Sequence, residues 1–415
     1  MAQIYASIIT IGDELLIGQI VDTNSAWMAQ QLNQVGILVK RRLSVGDNWD
    51  EIWKALDSES RESAIILITG GLGPTADDIT KPLLCQYFGG KMVVSEEKLK
   101  HLVDLFQNVF KRPLLDRNLK QAEVPDNCTV LLNRRGTAPG MWFEKEGRIY
   151  VSMPGVPFEM KGIMEEDVLP RLQHLFQLPP VLHRTLVTAG IGESFLADRI
   201  QSFESSLPPH IRLAYLPNFG MVKLRLTAAG QTSSDEIDMR FAELKNQLND
   251  VLVTDEDLTI QEVVYRLLKE RGKTMGTAES CTGGYIAHLI TSMPGASALY
   301  NGTVVSYSNE VKKDVLGVRE ETLTETGAVS EATVTEMVVG TLKQLKTDYA
   351  VATSGIMGPD GGTVQKPVGT LCIGTGDKNR VVAKTYKLRY TRERNIEQAA
   401  ILALNQLRMF ILGEI

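Results

Sequence analysis

Large apolar residues come in short bursts along this chain, and between the bursts they recur three or four positions apart. The bursts predict strands and the wider spacing predicts amphipathic helices. Tyr5 to Ile11 is a β-branched run, and Thr23-Asn24-Ser25 opens a helix carrying Trp27, Met28, Leu32 and Val35. Ile37 to Leu43 reads as the next strand. A helix through Trp53 and Leu56 then leads to Ala64 to Ile68, a continuous apolar run of the kind a parallel sheet buries on both faces. Leu178-Pro179-Pro180 breaks the chain. Beyond it, Arg184 to Ala189, Ile211 to Tyr215 and Met221 to Ala229 read as strands, with helices over Ser194 to Ser202 and Ser234 to Asn249. Asp255-Glu256-Asp257 marks a second boundary, after which Leu258 to Glu270 turns Val263, Val264, Leu267 and Leu268 inward and strand–helix alternation resumes. The pattern predicts an α/β protein in three parts: a parallel-sheet domain over 1–177, a small α+β unit over 181–254 and a second α/β domain over 258–415.

Ligands of open α/β sheets sit at the carboxyl ends of the strands, so the loops found there matter most. The fully apolar strand empties into Thr69-Gly70-Gly71-Leu72-Gly73-Pro74-Thr75-Ala76-Asp77-Asp78. Its glycines let the backbone approach a phosphate. Two adjacent carboxylates, Asp77 and Asp78, would repel that phosphate unless a hard divalent cation such as Mg²⁺ lies between them. Gly71 to Ala76 also matches a dinucleotide fingerprint, but the aspartates behind it favour a metal-assisted phosphate site; an Asp-capped turn is the plainer alternative. Gly12-Asp13-Glu14 closes the first strand, Arg134-Arg135 offers a forked phosphate clamp, and Met153-Pro154-Gly155-Val156-Pro157 opens another helix.

In the last third a strand-like run stops at Glu279-Ser280-Cys281-Thr282-Gly283-Gly284, and a helix follows. A hydroxyl and a thiol thus fall at a helix start with free N–H groups nearby. That geometry suits a nucleophile with oxyanion donors, a phosphate pocket, or a simple helix cap. Tyr307-Ser308-Asn309-Glu310-Val311-Lys312 lies at the next strand end, with Lys313 read as a solvated neighbour. Ser354 to Thr363 is a glycine-rich loop, and Arg392, Arg394 and Asn395 open the closing helix. No histidine is placed to serve as base, since His288 falls mid-helix. A desolvated lysine can take that role, with the amides of Cys281 to Gly283 as oxyanion donors. The chemistry indicated is acyl transfer, most simply amide hydrolysis, on a phosphate-bearing substrate. Gly272-Lys273-Thr274 ends like a P-loop, but Leu267 stands where its first glycine belongs, which argues against ATP there.

Composition narrows the classes. A chain of 415 residues with 43% hydrophobic and 23% charged content fits a multidomain globular protein. A net charge of −6 argues against binding nucleic acid by phosphate neutralisation. No apolar run approaches the roughly 18–20 residues of a membrane span. Cys85, Cys128, Cys281 and Cys372 form no metal or disulfide spacing, and Met1 leads directly into a strand, so a reduced, cytoplasmic setting is the expectation.

The motifs G-G-L-G-P-T-x-D-D, M-P-G-V-P-x-E-M, A-E-S-C-T-G-G, Y-S-N-E-x-K and S-G-I-x-G-P-x-G-G-T together resemble the CinA family (competence/damage-inducible protein A) over essentially the whole chain. The resemblance implies a molybdopterin-binding-like first domain with metal-dependent ADP-ribose pyrophosphatase activity and a KH-type middle domain. The last domain would deamidate nicotinamide mononucleotide, and the protein would be a homodimer. The middle segment has the KH element order but no GxxG clamp, so no nucleic-acid partner is expected. Carried over by motif, Ser280 is the nucleophile, activated by Tyr307 and Lys312. Ser354 (where relatives commonly have Thr) and Arg394 hold the nucleotide, alongside Cys281, Thr282, Gly283, Gly284, Asn309, Gly355, Gly358, Gly361, Gly362 and Thr363. No cofactor is implied for that site. The first domain's substrate would meet Gly12, Asp13, Glu14, Gly70, Gly71, Gly73, Pro74, Thr75, Arg135, Pro154 and Gly155, with Asp77 and Asp78 on the metal. The alternatives are a molybdopterin or nucleotide holder without turnover and a competence-associated partner protein.

Overall fold

The computed structural model describes residues 3–75, 78–218, 220–228 and 234–415. Its contacts divide the chain into two compact units. One comprises residues 1–183 with 209–211 and 227–237, and the other the remainder.

The first unit is built on a six-stranded sheet in the order Leu38–Val45, Tyr5–Ile11, Ile65–Thr69, Arg148–Met153, Gly140–Lys145, Thr129–Leu131. The first four strands run parallel. Every residue of Ile65–Thr69 is buried, as its unbroken apolar run requires. Alternate side chains go to opposite faces: Ile65 and Leu67 join a core with Met28, Leu32 and Met160, while Ile66 and Ile68 join Ile52, Leu56 and Leu83. The sheet departs from the all-parallel expectation at one edge, where Gly140–Lys145 returns antiparallel to Arg148–Met153. The cause is local: Glu146 and Gly147 both take positive φ, 53° and 74°, the two-residue turn that matches strand twist. Strands Tyr5–Ile11, Ile65–Thr69 and Arg148–Met153 release their loops at one common edge.

The small sheet runs Ile211–Asn218, Met221–Ala228, Leu182–Ala189, Leu252–Thr254, with helices Glu193–Ser205 and Ser234–Gln247 completing the KH-like order. Val187, Met221 and Val253 belong to the same buried cluster as Val264, Leu404 and Leu407 from the last third.

The last sheet runs Tyr300–Val305, Met275–Glu279, Tyr349–Gly355, Thr370–Asp377, Val381–Lys387; the first three strands are parallel and the rest antiparallel. Helix Glu331–Leu345 covers one face through Val334, Met337 and Val338, and helix Arg392–Leu412 covers the other through Ala399, Ala403 and Leu407. No helix among the described residues is long and apolar enough to cross a membrane. Gly340 lets the first of these helices approach the segment at Leu316, because a Cβ there would collide with the Leu316 carbonyl. Alanine normally gains ~1 kcal/mol over glycine inside a helix. At this position Gly340→Ala should instead destabilise by roughly 1–3 kcal/mol, the usual cost of overpacking, read as a lower denaturant midpoint.

Candidate functional site

The interior strand Met275–Glu279 continues into Ser280, whose N–H still pairs with the Thr353 carbonyl at 3.0 Å. The chain then turns through Gly283 and Gly284, both left-handed at φ 59° and 99°. The helix Tyr285–Thr291 that follows does not offer free N–H groups. The fully buried Glu279 carboxylate accepts from the amides of Gly284, Ile286 and Ala287 at 2.8–3.0 Å. The helix start is therefore already occupied by an internal anion, which corrects the expectation that it could receive a phosphate. Gly283 N–H donates to the Ser280 carbonyl at 3.3 Å. Of the expected oxyanion donors, only the amides of Cys281 and Thr282 lack an acceptor among the described residues.

Ser280 and Lys312 come together. Ser308 caps the short helix Asn309–Asp314, and Lys312 on its inner side is 1% exposed. The Lys312 Nζ lies 3.1 Å from Ser280 Oγ, 2.7 Å from the Ser306 carbonyl and 3.3 Å from the Tyr307 carbonyl. Burial lowers the Lys312 pKa from the ordinary lysine value. A neutral amine has two hydrogens and one lone pair. As placed, Nζ donates to all three oxygens; on losing one proton it would keep both carbonyls and turn its lone pair to the Ser280 hydroxyl. Lys313 pairs with Glu320 at 3.2 Å on the surface, as a solvated neighbour should. Cys281 is buried against Gly355, whose Cβ would lie 3.2 Å from its sulfur, and burial pushes the thiol up to about 12. Of the two, the Ser280 hydroxyl is the candidate that the lysine reaches.

Tyr307 is placed differently from its implied role. Its phenol is exposed and accepts from Arg392 Nη2 at 3.0 Å, so its link to Lys312 is its backbone carbonyl. Arg392 also donates to the Gly358 carbonyl at 2.8 Å, tying the Tyr307 turn to the glycine loop. Arg394 is exposed and makes no hydrogen bond or ion pair among the described residues. Two arginines two positions apart on a helix start face different sides, a distinction that composition could not make. Buried Asn395 donates to the Met357 and Tyr390 carbonyls and so anchors the loop from below. Thr363 closes the loop through Lys366, while Gly358 and Gly361 take positive φ within it. Ser354 Oγ donates to the Ala328 carbonyl at 2.7 Å, and Asn309 is exposed at its helix start.

In the first unit a cleft of about 400 Å³ opens at the common strand edge. It gathers Gly12 and Glu14 from the first loop, Gly70, Gly71, Gly73, Pro74 and Asp78 from the second, and Pro154 and Gly155 from the third. Gly70, at φ 115°, lies so close to the Ile11 carbonyl that no side chain could be accommodated. Asn24 Nδ2 donates to the Gly155 carbonyl at 2.7 Å, and Thr69 Oγ1 to that of Pro154 at 2.8 Å. Asp13 lies outside this lining and exchanges hydrogen bonds with Asp47. Arg135 does not clamp the cleft. Its guanidinium pairs with Glu165 at 2.8 Å and lies over the Phe158 ring.

The metal expectation meets a different use of Asp78. Its oxygens accept from Gly73 N–H at 2.7 Å and from Thr75 N–H at 2.9 Å, stapling the glycine loop. Asp77 lies outside the described residues. Among the described residues no three His, Cys, Asp or Glu side chains converge as a metal site, so these residues alone do not furnish a ligand set. Sequence reasoning missed Asp47, Gln121 and Glu159, which also line the cleft. Glu159 stood inside a quoted motif, while Gln121 carried no signal at all.

Three family models match consecutive segments of the chain. They are the model described as "Probable molybdopterin binding domain" over residues 7–174, the damage-inducible protein CinA KH domain over 183–254 and the CinA C-terminal domain over 257–411. A CinA-like protein of Cytophaga hutchinsonii is 48% identical over 412 residues, covering 98% of this chain and 97% of its own length. A CinA-like protein of Flavobacterium psychrophilum is 42% identical, covering 98% of each chain. Among solved structures, a competence-damaged protein (CinA) superfamily protein from Klebsiella pneumoniae is 35% identical, with TM-score 0.36, over 38% of this chain and 99% of its own. On the strength of end-to-end relatives and three consecutive domain matches, the chain belongs to the CinA family.

Proposed function

We propose that the last third hydrolyses the carboxamide of nicotinamide mononucleotide to nicotinate mononucleotide and ammonia. The observation that carries this reading is the 3.1 Å approach of the buried Lys312 Nζ to Ser280 Oγ, beside two carbonyls within hydrogen-bond reach of the same nitrogen. Ser280 Oγ attacks the amide carbon as its proton passes to Lys312 Nζ. The amides of Cys281 and Thr282 are the donors for the oxyanion. The resulting Lys312 ammonium returns the proton to the departing nitrogen, and ammonia leaves an acyl-serine. Water then repeats the sequence with Lys312 as base, releasing the carboxylate. The glycine loop and Arg392 are the candidates for the phosphate, since Glu279 closes the helix start.

For the first unit, the reading is hydrolysis of ADP-ribose to AMP and ribose 5-phosphate with a divalent cation. A glycine-lined cleft at strand ends supports it. Asp77 and Asp78 are the carboxylates proposed for the cation, which would neutralise phosphate charge when bound. The test is direct. Purified protein should release ammonia from nicotinamide mononucleotide, and AMP from ADP-ribose only while chelator is absent. Failure to release ammonia removes the first activity, and chelator-insensitive AMP release removes the metal.

A further inference from the structure

We propose that Glu159 is the general base of the cleft in the first unit, taking the proton of the water that attacks a phosphoanhydride. The proposal rests on the reading of that unit as a hydrolase and names a residue that reading leaves out.

Three observations converge on it. First, Glu159 stands at the start of helix Pro157–Ile163, and its half-buried side chain lines the cleft with the glycine loops. Second, it is oriented from behind. Its Oε2 accepts from Asn133 Nδ2 at 2.5 Å, and fully buried Asn133 is itself fixed. Asn133 Nδ2 donates to the Ala138 carbonyl at 2.9 Å, its Oδ1 accepts from Arg135 N–H at 3.0 Å, and its carbonyl accepts from His101 Nε2 at 2.8 Å. Glu159 Oε1 has no partner among the described residues, so one carboxylate oxygen stays available. Gly136 makes room for this, as a Cβ there would collide with the Glu159 carboxyl. Third, Gln121 lines the same cleft at 2% exposure, and its Oε1 is buried with no hydrogen-bond partner. A buried acceptor without a partner beside the cleft marks a place where the protein's own donors leave the site incomplete.

The other carboxylates of the cleft are less suited. Asp78 is held by Gly73 and Thr75, Asp47 accepts from Asp13 N–H, and Glu14 is exposed. In the step itself, a water oxygen bonds to phosphorus as its proton moves to Glu159. The bridging P–O bond breaks with its electron pair on the departing phosphate, and Glu159 then returns the proton to solvent.

Charges around Glu159 set its pH response. Burial raises its pKa from the ordinary carboxylate value, while the Lys98 ammonium opposes the rise. Lys98 comes from helix Glu96–Asp104, is fully buried and has no hydrogen-bond partner for its Nζ. His101 acts through Asn133. Asp78, Glu14 and Asp47 belong to the cleft-lining loops, Lys81 donates to the Lys120 and Glu123 carbonyls, and Arg135 pairs outward with Glu165.

The experiment follows AMP release from ADP-ribose across pH with Mg²⁺ supplied, using full-length wild type, Glu159→Gln and Lys98→Met, with AMP binding measured in parallel. Glu159→Gln should lose about 10²–10⁴-fold in kcat, keep AMP binding and lose the acid limb of kcat/KM. Lys98→Met should keep turnover and move that limb to higher pH, because a favourable positive charge has been removed. A purely structural Glu159 would leave the limb in place. An active wild type with an acid limb retained in Glu159→Gln overturns the assignment alone. A wild type that binds AMP but releases none from ADP-ribose overturns the hydrolase reading and the assignment together.

Discussion

Ser280→Ala lowers ammonia release from nicotinamide mononucleotide by at least about 10³-fold, the scale on which removal of an activated nucleophile acts. The methyl group fits where the hydroxyl stood, so Glu279 keeps its three amide donors and the turn keeps its shape. The loss should therefore appear in kcat, with nucleotide affinity retained. Cys281 cannot substitute, since burial holds its thiol protonated at about 12. A variant keeping more than a tenth of the wild-type rate would remove the covalent mechanism.

Lys312→Met produces a loss of the same order, and the double variant is no worse than either single one, because nucleophile and base act as a unit. Wild-type kcat/KM should fall as pH drops through the lowered Lys312 pKa, since only the neutral amine accepts the proton. The same shift has a stability consequence. The unfolded chain binds the Lys312 proton more tightly than the folded one. The burial penalty is thus fully present below the folded pKa and disappears as pH rises through the unfolded value near ~10.4. Methionine removes that penalty, so at neutral pH the inactive variant should unfold no more readily than wild type. Marked destabilisation would mean that Lys312 is charged and structurally required.

Much of the architecture was legible because burial leaves a plain trace. Ile65–Thr69 is apolar without interruption since both of its faces are covered, and Leu178-Pro179-Pro180 can continue no helix. Ser280 and Lys312 could be named because the ends of parallel strands gather in space whatever their separation in sequence. Contacts governed by side-chain direction were not legible. Arg135 looked like a phosphate ligand by type, yet it faces surface carboxylates. Tyr307 contributes a carbonyl to the lysine, and any residue type could have supplied that atom. Gln121 and Lys98 become informative only once their lack of partners is seen, which no string of letters reveals.

On the proposed amidase reading, the glutamate that seals the helix beside Ser280 also bears on which end of a substrate enters first. A bare helix start would attract the most highly charged part of a mononucleotide and draw it onto the serine backwards. With the Glu279 side chain seated there, the three amides that a phosphate would need are already taken. Discrimination between the two poles of the same small molecule is thereby built into the backbone turn, before any loop has closed on it.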